Sequence, residues 1–210
     1  MKIHTYPLGQ MQANCYLLEK DGQCLIADPA DDASFIFEKI SNLEVQGLIA
    51  THGHFDHIMA VGEMQISYKK LFGKELPLII NPKDLFLLKR IVETARHFLN
   101  YEPAVIPIEF TKDLQLGKQK IGNFTFEVVY TPGHTPGSCC LYFRQDNVLF
   151  TGDTLFKSGI GRYDFSYSDK DELKSSLQKI FKLPEDTIIY SGHGEESTLG
   201  EEKENMKLFF

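Results

Sequence analysis

The sequence lacks long apolar runs and has few cysteines. None of its windows holds the roughly 18 consecutive apolar residues that a membrane-spanning helix needs, and residues 1–7 have no apolar core of the kind found in a signal peptide. Its four cysteines show neither zinc-finger spacing nor a C-x-x-C pair. These absences predict a cytoplasmic protein without a membrane anchor, whose cysteines are free, buried thiols.

An excess of positive charge is also missing. Lys and Arg number 22 against 29 Asp and Glu, which gives a formal net charge of −7. Such a chain is not expected to bind nucleic acid or an anionic membrane surface, and a small molecule is the expected partner. Its 210 residues, 42% of them hydrophobic, predict one domain spanning residues 1–210 with a sizeable core. Nothing in the sequence indicates an oligomeric state.

One short stretch, by contrast, is dense in metal-binding side chains. Six residues contain three histidines and one aspartate: His52, His54, Asp56 and His57. The stretch follows an apolar run, 45–51, that predicts a buried strand, and precedes an amphipathic segment, 58–71, that predicts a helix. In an extended segment residues i and i+2 point the same way. His52 and His54 can therefore aim at one point. Asp56 and His57, just past the bend, can aim at a second. The alternative for this stretch alone is a solvated, His-rich loop.

Three further side chains of this kind have the same local setting far along the chain. Each follows an apolar run that ends in Thr, Ser or Gly: His134 after 124–131, Asp153 after 148–152 and His193 after 188–192. Open α/β sheets place their sites where such strand ends meet at one edge. For a lone histidine a structural role is the alternative, but the repeated setting favours a metal centre. His4 and His97 lack this setting, and we expect both to be structural.

The seven side chains divide naturally between two divalent ions. His52, His54 and His134 are expected to hold one ion, and Asp56, His57 and His193 the other, with the two oxygens of Asp153 as a bridge. Open positions on each ion are the mark of a catalytic site. The ligand types suit zinc first, with iron or manganese as alternatives. A hydroxide bridging the two ions is nucleophilic at neutral pH. Asp56 is the predicted catalytic residue, since it can also accept the nucleophile's proton.

The order of elements predicts an α/β fold of two similar halves. Strands are expected at 2–6, 14–19, 23–28, 45–51, 77–80, 124–131, 138–143, 147–150 and 187–190, and helices at 33–40, 58–71, 83–99, 168–181 and 199–208. Residues 100–113 are expected to be irregular, forming either a flap beside the site or a plain connection. Two sheets would stack face to face with the helices outside.

Four motifs resemble those of the metallo-β-lactamase superfamily. They are Thr51–His57 (THGHFDH), Thr131–Ser138 (TPGHTPGS), Gly152–Phe156 (GDTLF) and Ser191–Gly194 (SGHG). The motifs occur in order along the chain, and with the strand-rich N-terminus the resemblance covers nearly all of it. It implies a four-layer αββα sandwich with a dinuclear site at one edge of the sheets.

Two further segments are similar to the glyoxalase II group, the hydroxyacylglutathione hydrolases. They are 159–162 (GIGR) and 192–202 (GHGEESTLGEE). That group adds a helical C-terminal domain that contacts glutathione, and only 17 residues follow His193 here, so we expect weaker glutathione recognition. Lys157 and Arg162 are the predicted substrate-binding cations. The alternative for Arg162 is an ion pair with Asp164 that fixes the loop.

The predicted function is the hydrolysis of small acyl thioesters of the S-lactoylglutathione type. A thiol, with a pKa near ~8.5, leaves as thiolate without a general acid. One alternative is a persulfide dioxygenase that uses a single iron at His52, His134 and Asp153, because two histidines and a carboxylate form the pattern of non-haem iron sites. Lactone hydrolysis on the same site and metal binding without catalysis are the others.

Overall fold

The first half of the chain builds one six-stranded sheet in chain order. In the computed structural model, which describes residues 1–206, its strands are β1 Lys2–Leu8, β2 Ala13–Lys20, β3 Gln23–Ala27, β4 Glu44–Ile49, β5 Leu78–Ile80 and β6 Thr111–Asp113. The first three strands are antiparallel, and β3 to β6 run parallel. The carboxyl ends of β3, β4 and β5 therefore meet at one edge of the sheet.

The second half builds another six-stranded sheet, in the order β14-β13-β10-β9-β8-β7. Its strands are β7 Gly117–Ile121, β8 Phe124–Tyr130, β9 Cys139–Phe143, β10 Val148–Gly152, β13 Ile188–Ser191 and β14 Ser197–Thr198, and a separate ribbon pairs β11 Leu155–Phe156 with β12 Gly159–Ile160. Both β8 and β10 are antiparallel to β9, and β13 is parallel to β10. Hence β8, β10 and β13 end at the same edge.

Helices cover the outer faces of both sheets. They are α1 Ala33–Lys39, α2 Phe55–Ile58, α3 Val61–Phe72, α4 Leu85–Leu88, α5 Ile91–Leu99, α6 Lys170–Ile180 and α7 Leu199–Met206, with a 3₁₀ turn at Pro82–Asp84. Side-chain caps begin three of the described helices: Asp32 accepts from the amide of Phe35, Asp169 from that of Glu172 and Thr198 from that of Glu201. Within residues 1–206, no helix has the length and apolarity needed to cross a membrane.

Apolar side chains form three layers because they alternate along the strands. On β2, Leu18 belongs to the core between the two sheets, whereas Leu17 belongs to the core under α1 and α3. On β9, Cys139 lies between the sheets and Cys140 lies under α6 and α7. All four cysteines are free and buried. These three layers confirm the predicted αββα sandwich.

Two predicted helices are interrupted where backbone groups find other partners. The segment 58–71 begins earlier, at α2, and breaks before α3, where the amide of Ala60 donates to the carbonyl of Pro29. The segment 83–99 divides into a 3₁₀ turn, α4 and α5, and the amide of Arg90 donates to Leu87, three residues back. Such three-residue bonds tighten a helix and end it. The spacing of apolar residues along the sequence indicates which face of a helix is buried. It does not indicate where the helix breaks.

Residues 100–113 are irregular except for β6, a strand that the sequence did not predict. The segment lies over α3, where the Gln65 side chain accepts from the amide of Glu109 and donates to the carbonyl of Phe110. A Cβ on Gly62 would stand 2.1 Å from the carbonyl oxygen of Ile106, so the chain approaches α3 closely. No residue of this segment lines the cavity described below. The segment is a connection and not a flap.

Candidate metal centre

Strand ends deliver the predicted ligand residues to one place. His52 and His54 follow β4, Asp56 and His57 lie on α2, and His134, Asp153 and His193 follow β8, β10 and β13. Backbone bonds join the two sheets at this edge: the amide of Cys139 donates to the carbonyl of Thr51 at 2.8 Å, and that of Asn14 to Gly192 at 2.7 Å. The site thus lies on the seam between the sheets, as strand order predicts.

A first group contains His52, His54, His134 and Asp153, whose ligand-type atoms all lie within 4.8 Å of one another. The Nδ1 atom of His54 is 3.1 Å from Nε2 of His52 and 2.9 Å from Nε2 of His134. The Oδ2 atom of Asp153 is 3.4 Å from Nε2 of His134. Four nitrogen and oxygen donors therefore converge on one point.

A second group contains Asp56, His57 and His193. The Oδ2 atom of Asp56 is 3.3 Å from Nε2 of His193 and 3.9 Å from Nε2 of His57. Asp153 faces this group as well, with Oδ1 at 3.3 Å from Nε2 of His57 and Oδ2 at 3.8 Å from Nε2 of His193. The side chains assemble in the division expected from the sequence. Their role as ligands stays a prediction.

Two buried atoms at the centre, Nε2 of His57 and Oδ1 of Asp153, lie 3.3 Å apart but form no well-directed hydrogen bond with each other or with any other group in the described part of the chain. An unpartnered polar atom of this kind costs about 1–3 kcal/mol. Divalent ions in the two groups would satisfy both atoms, so the residues fit a dinuclear centre. Imidazole with carboxylate is a donor set shared by zinc, iron and manganese.

The electrostatics of the histidines differ between the two groups. Burial, followed by repulsion from His57, holds the pKa of His52 well below its ordinary value, and burial followed by His134 lowers the pKa of His54 to about 3. Both rings are therefore neutral at pH 7. Burial opposes ionisation of Asp153, but the neighbouring histidines, with His57 foremost, together outweigh it and hold the pKa of Asp153 well below its ordinary value. Asp56 shows the same balance, so its pKa is also lowered. Burial opposes a charge on His57 and His193, but the carboxylates of Asp153 and Asp56 outweigh it and raise the pKa of both rings. These two rings must release a proton when a metal ion binds, whereas His52 and His54 are already in the neutral form that binds metal.

An outer ring of contacts fixes the orientation of the imidazoles. The Oδ2 atom of Asp28 lies 3.1 Å from Nδ1 of His57, and the Arg162 carbonyl lies 2.8 Å from Nδ1 of His134. The Tyr167 hydroxyl lies 2.9 Å from Nε2 of His54. Each contact occupies the ring nitrogen that faces away from the group, which is how outer partners orient metal-binding histidines.

Asp84 supports the backbone of the site in a different way. Its fully buried carboxylate accepts from the amides of Gly53 (2.8 Å) and Gly137 (2.6 Å) and from the hydroxyl of Thr135 (2.7 Å). Gly53 lies between His52 and His54, and Thr135 follows His134. One carboxylate therefore ties together the two loops that carry the three histidines of the first group. Burial raises the pKa of Asp84, and these hydrogen bonds act against that rise.

Sequence reasoning missed Asp28, Asp84 and Tyr167. Asp28 follows the apolar strand β3, so the strand-end setting that found the other residues applies to it too. Asp84 lies 31 residues from Gly53, and Tyr167 lies 113 residues from His54. The sequence around these two residues carries no signal for such distant contacts.

Two glycines are required by close approach to the site. A Cβ on Gly192 would stand 2.1 Å from Oδ1 of Asp153 and 2.7 Å from Cε1 of His57. A Cβ on Gly161 would stand 1.8 Å from the Asp153 carbonyl oxygen. Any larger residue at either position would displace Asp153, the side chain shared by both groups.

The two groups open into a cavity of about 350 Å³. Its lining combines ligand-type side chains with aromatic and aliphatic ones: Met11, His54, Phe55, Asp56, Thr94, Phe98, His134, Asp153, Phe156, Ile160, Arg162, Phe165, Tyr167 and His193. Arg162 lies in this wall and also pairs with Asp164 at 2.8 Å, so both interpretations of Arg162 agree with the geometry. Lys157 is outside the lining and pairs with Glu195. Its role in substrate binding stays a prediction.

Comparison with known proteins defines the class. The family model for the metallo-β-lactamase superfamily matches residues 8–193. The chain therefore belongs to the metallo-β-lactamase superfamily of metallo-hydrolases, in agreement with its αββα layers and with a His/Asp cluster suited to two metal ions.

One curated relative and two solved structures show what the chain is similar to within this superfamily. The chain is 38% identical over 209 residues to "Hydroxyacylglutathione hydrolase GloC" of Haemophilus influenzae, covering 97% of this chain and 95% of that protein. The crystal structure of BLEG-1, named a B3 metallo-β-lactamase, has a TM-score of 0.84 at 33% identity and covers 97% of both chains. The di-iron-bound form of TTHA1623 also has a TM-score of 0.84, at 31% identity, covering 96% of this chain and 98% of that one.

Proposed function

We propose that this chain is a metal-dependent hydrolase of small acyl thioesters, of the hydroxyacylglutathione hydrolase type. The observation that carries the proposal is the opening of both ligand groups into one cavity whose remaining wall is largely aromatic and aliphatic. Such a cavity admits an uncharged acyl group next to the converging donors. The similarity to a protein named hydroxyacylglutathione hydrolase, along nearly its whole length, supports the same chemistry.

Two divalent ions, zinc first and iron or manganese as alternatives, would be held at the seven predicted ligands. One ion would bind His52, His54 and His134, the other Asp56, His57 and His193, and Asp153 would be shared. When bound, the ions supply Lewis acidity, which polarises a carbonyl oxygen and lowers the pKa of a water molecule.

Asp56 is the residue to which we assign proton transfer. Its side chain is 13% exposed and lines the cavity, so the carboxylate borders the space that a water molecule would occupy. Burial would keep it protonated, but His57 and His193 lower its pKa and hold it ionised at neutral pH. The carboxylate can accept a proton at Oδ2, and its low pKa makes it release that proton readily to solvent.

The lining groups Tyr167 and Arg162 hold their protons too firmly to donate one, which suits a leaving group that departs as thiolate. Burial raises the pKa of Tyr167 to about 12, and the hydrogen bond from Arg162 to Asp164 raises the pKa of Arg162, so both lining groups keep their protons at pH 7. A thiol with a pKa near ~8.5 departs without receiving a proton. An amide nitrogen must be protonated as it leaves, so amides are expected to be poor substrates.

The test compares metal-free protein with preparations loaded separately with zinc, iron and manganese. Thiol release from S-lactoylglutathione, lactone hydrolysis, cephalosporin hydrolysis and oxygen uptake with glutathione persulfide are measured in parallel. We expect metal-dependent thiol release to exceed the other activities in kcat/KM. His193→Ala should abolish thiol release. His4→Ala should not, because His4 is a surface histidine of β1 that pairs with Glu19 of β2. Dominant oxygen uptake by the iron form would replace the hydrolase with a dioxygenase, and a dominant lactone or cephalosporin activity would change the substrate class.

A further inference from the structure

The β11–β12 ribbon forms one wall of the metal cavity. Phe156 and Ile160 line the cavity from this ribbon, and the Phe156 ring centroid lies 6.2 Å from that of His193. A different part of the lining lies beside the first group, where the Phe165 ring centroid is 5.2 Å from that of His54. The ribbon is therefore the apolar surface next to the second group.

This wall suits the acyl half of a thioester. Phe156 and Ile160 are uncharged, as a small acyl group is. The guanidinium of the lining, Arg162, lies over the Phe165 ring at 4.5 Å, beside the first group. The charged thiol half of S-lactoylglutathione is therefore expected toward Arg162, which leaves the ribbon for the acyl half. A packed apolar wall can discriminate by about 10–200-fold in kcat/KM for a single methylene group.

The turn of the ribbon is held from outside the cavity. Lys157 and Ser158 connect its two strands, and Ser158 has a φ of 59°, in the left-handed region. That conformation costs a non-glycine residue about 1–2 kcal/mol. The Ser158 amide donates to Oε2 of Glu202, on α7, at 2.7 Å. Because a two-stranded hairpin is marginally stable by itself, this bond matters for the position of the ribbon.

Glu202 is a buried acceptor, only 1% exposed. Its Oε1 accepts from the Ser197 hydroxyl at 2.5 Å, and its Oε2 accepts from Nδ2 of Asn205 at 3.1 Å in addition to Ser158. A carboxylate removed from water needs such partners because its desolvation is expensive. Strand β14, which leads into α7, pairs with β13. Glu202 thus joins the turn of the ribbon to the second sheet. The other side-chain contact of the turn is an exposed ion pair, and such pairs contribute little.

We propose that Glu202 is a positioning residue that, through the Ser158 amide, fixes the ribbon wall and so limits the size of the acyl group that the cavity accepts. The inference rests on the proposed hydrolase function and adds to it a specificity determinant remote from the reacting atoms. Within residues 1–206, the hydrogen bonds of Glu202 involve none of the seven predicted ligands.

The experiment uses glutathione thioesters of acetate, propionate, isobutyrate and pivalate, and the full-length, metal-loaded protein is assayed by thiol release. In the wild type kcat/KM should fall steeply as methyl groups are added. Glu202→Ala frees the Ser158 amide, so the isobutyryl-to-acetyl ratio of kcat/KM should rise about tenfold, mainly through a lower KM for the bulky substrate, with metal content unchanged. Glu202→Gln should restore the wild-type ratio. Its amide oxygen can accept from Ser158 while its N–H₂ donates to the Ser197 hydroxyl, whose proton goes to Glu201.

Asn205→Ala is the matched control, since Asn205 bonds to the same oxygen of Glu202 but not to the ribbon. It should keep the wild-type ratio. Hydrogen exchange of the Ser158 amide, followed by NMR in the zinc-loaded protein, should be slow in the wild type although Ser158 is an exposed residue. The exchange should be about tenfold faster in Glu202→Ala and unchanged in Asn205→Ala and Glu202→Gln. If Glu202→Ala does not fold, Glu202→Asp, one methylene shorter, takes its place with shifts in the same direction.

An unchanged ratio in the Glu202 variant, or an equal loss of activity on all four substrates, overturns the proposal. The same shift of the ratio in Asn205→Ala, or fast exchange of the Ser158 amide in the wild type, also overturns it. Failure of the loaded wild type to cleave any of the four thioesters rejects the hydrolase function itself, and the exchange measurements still test the tie between α7 and the ribbon.

Discussion

Replacing Asp84 by asparagine tests whether one buried carboxylate holds together the two loops that carry the predicted histidine ligands of the first group. In the protein, Oδ2 accepts from Gly53 and Thr135, and Oδ1 accepts from Gly137. An asparagine keeps one acceptor oxygen and presents an amide N–H₂ to the remaining donor. A buried donor without a partner costs about 1–3 kcal/mol, so we expect Asp84→Asn to lose about 2 kcal/mol of unfolding free energy. Asp84→Ala leaves the amides of Gly53 and Gly137 unpaired, while the Thr135 hydroxyl keeps Ser138 as a partner, and should lose about 4 kcal/mol.

The assay is thermal and urea unfolding of the metal-free protein, which separates the loops' own stability from metal binding. For a chain of this length about 2 kcal/mol corresponds to a decrease in Tm of roughly 4–8 °C. Asp113→Asn, at an exposed residue of β6, is the control and should be neutral. Chelator competition should also show metal affinity reduced about tenfold in Asp84→Asn, as for other outer partners of metal sites. Equal Tm values and equal metal affinities for Asp84→Asn and the wild type would refute this account.

Three further outcomes are expected. Elemental analysis of replete protein should give about two transition-metal ions per chain, with His97→Ala unchanged in metal content; one ion per chain would favour the dioxygenase alternative. Asp56→Asn should reduce kcat by at least about a hundredfold and Arg162→Ala by far less, and the reverse order at saturating substrate would contradict the assigned roles. The kcat/KM for S-lactoylglutathione should exceed that for a lactoyl thioester of a simpler thiol by less than about a hundredfold, or roughly 2.7 kcal/mol. A larger ratio would show that the chain, alone or with a partner subunit, builds a full glutathione pocket.

The sequence predicted the layers and the position of the site because both depend on local patterns. Alternating apolar residues specify strands, and a ligand-type residue after each of several strands specifies a common edge. Two edge strands, β6 and β7, escaped prediction for a related reason. The residues of β6 are exposed, and β7 carries mostly charged and polar residues, so neither sequence alternates between apolar and polar residues.

The features that the sequence did not predict depend on contacts between distant segments. The break between α4 and α5 coincides with the bond from the Arg90 amide to the Leu87 carbonyl, yet the residues around it have uninterrupted helical spacing. Tyr167 and Asp84 act on the site through partners far along the chain. Only the folded chain shows which distant residues meet.

The position of the site on the seam has a consequence for how the chain could be divided. The first sheet and its helices supply His52 and His54 to one group and Asp56 and His57 to the other, while the second sheet completes them with His134, Asp153 and His193. Neither half alone contains a complete set of donors. Two fragments separated within residues 100–110 should therefore associate more tightly when metal is present, because the free energy of ion binding is available only to the joined halves. Bound metal would then also hold the two halves of the chain together, and fragment complementation would report on metal occupancy without any substrate.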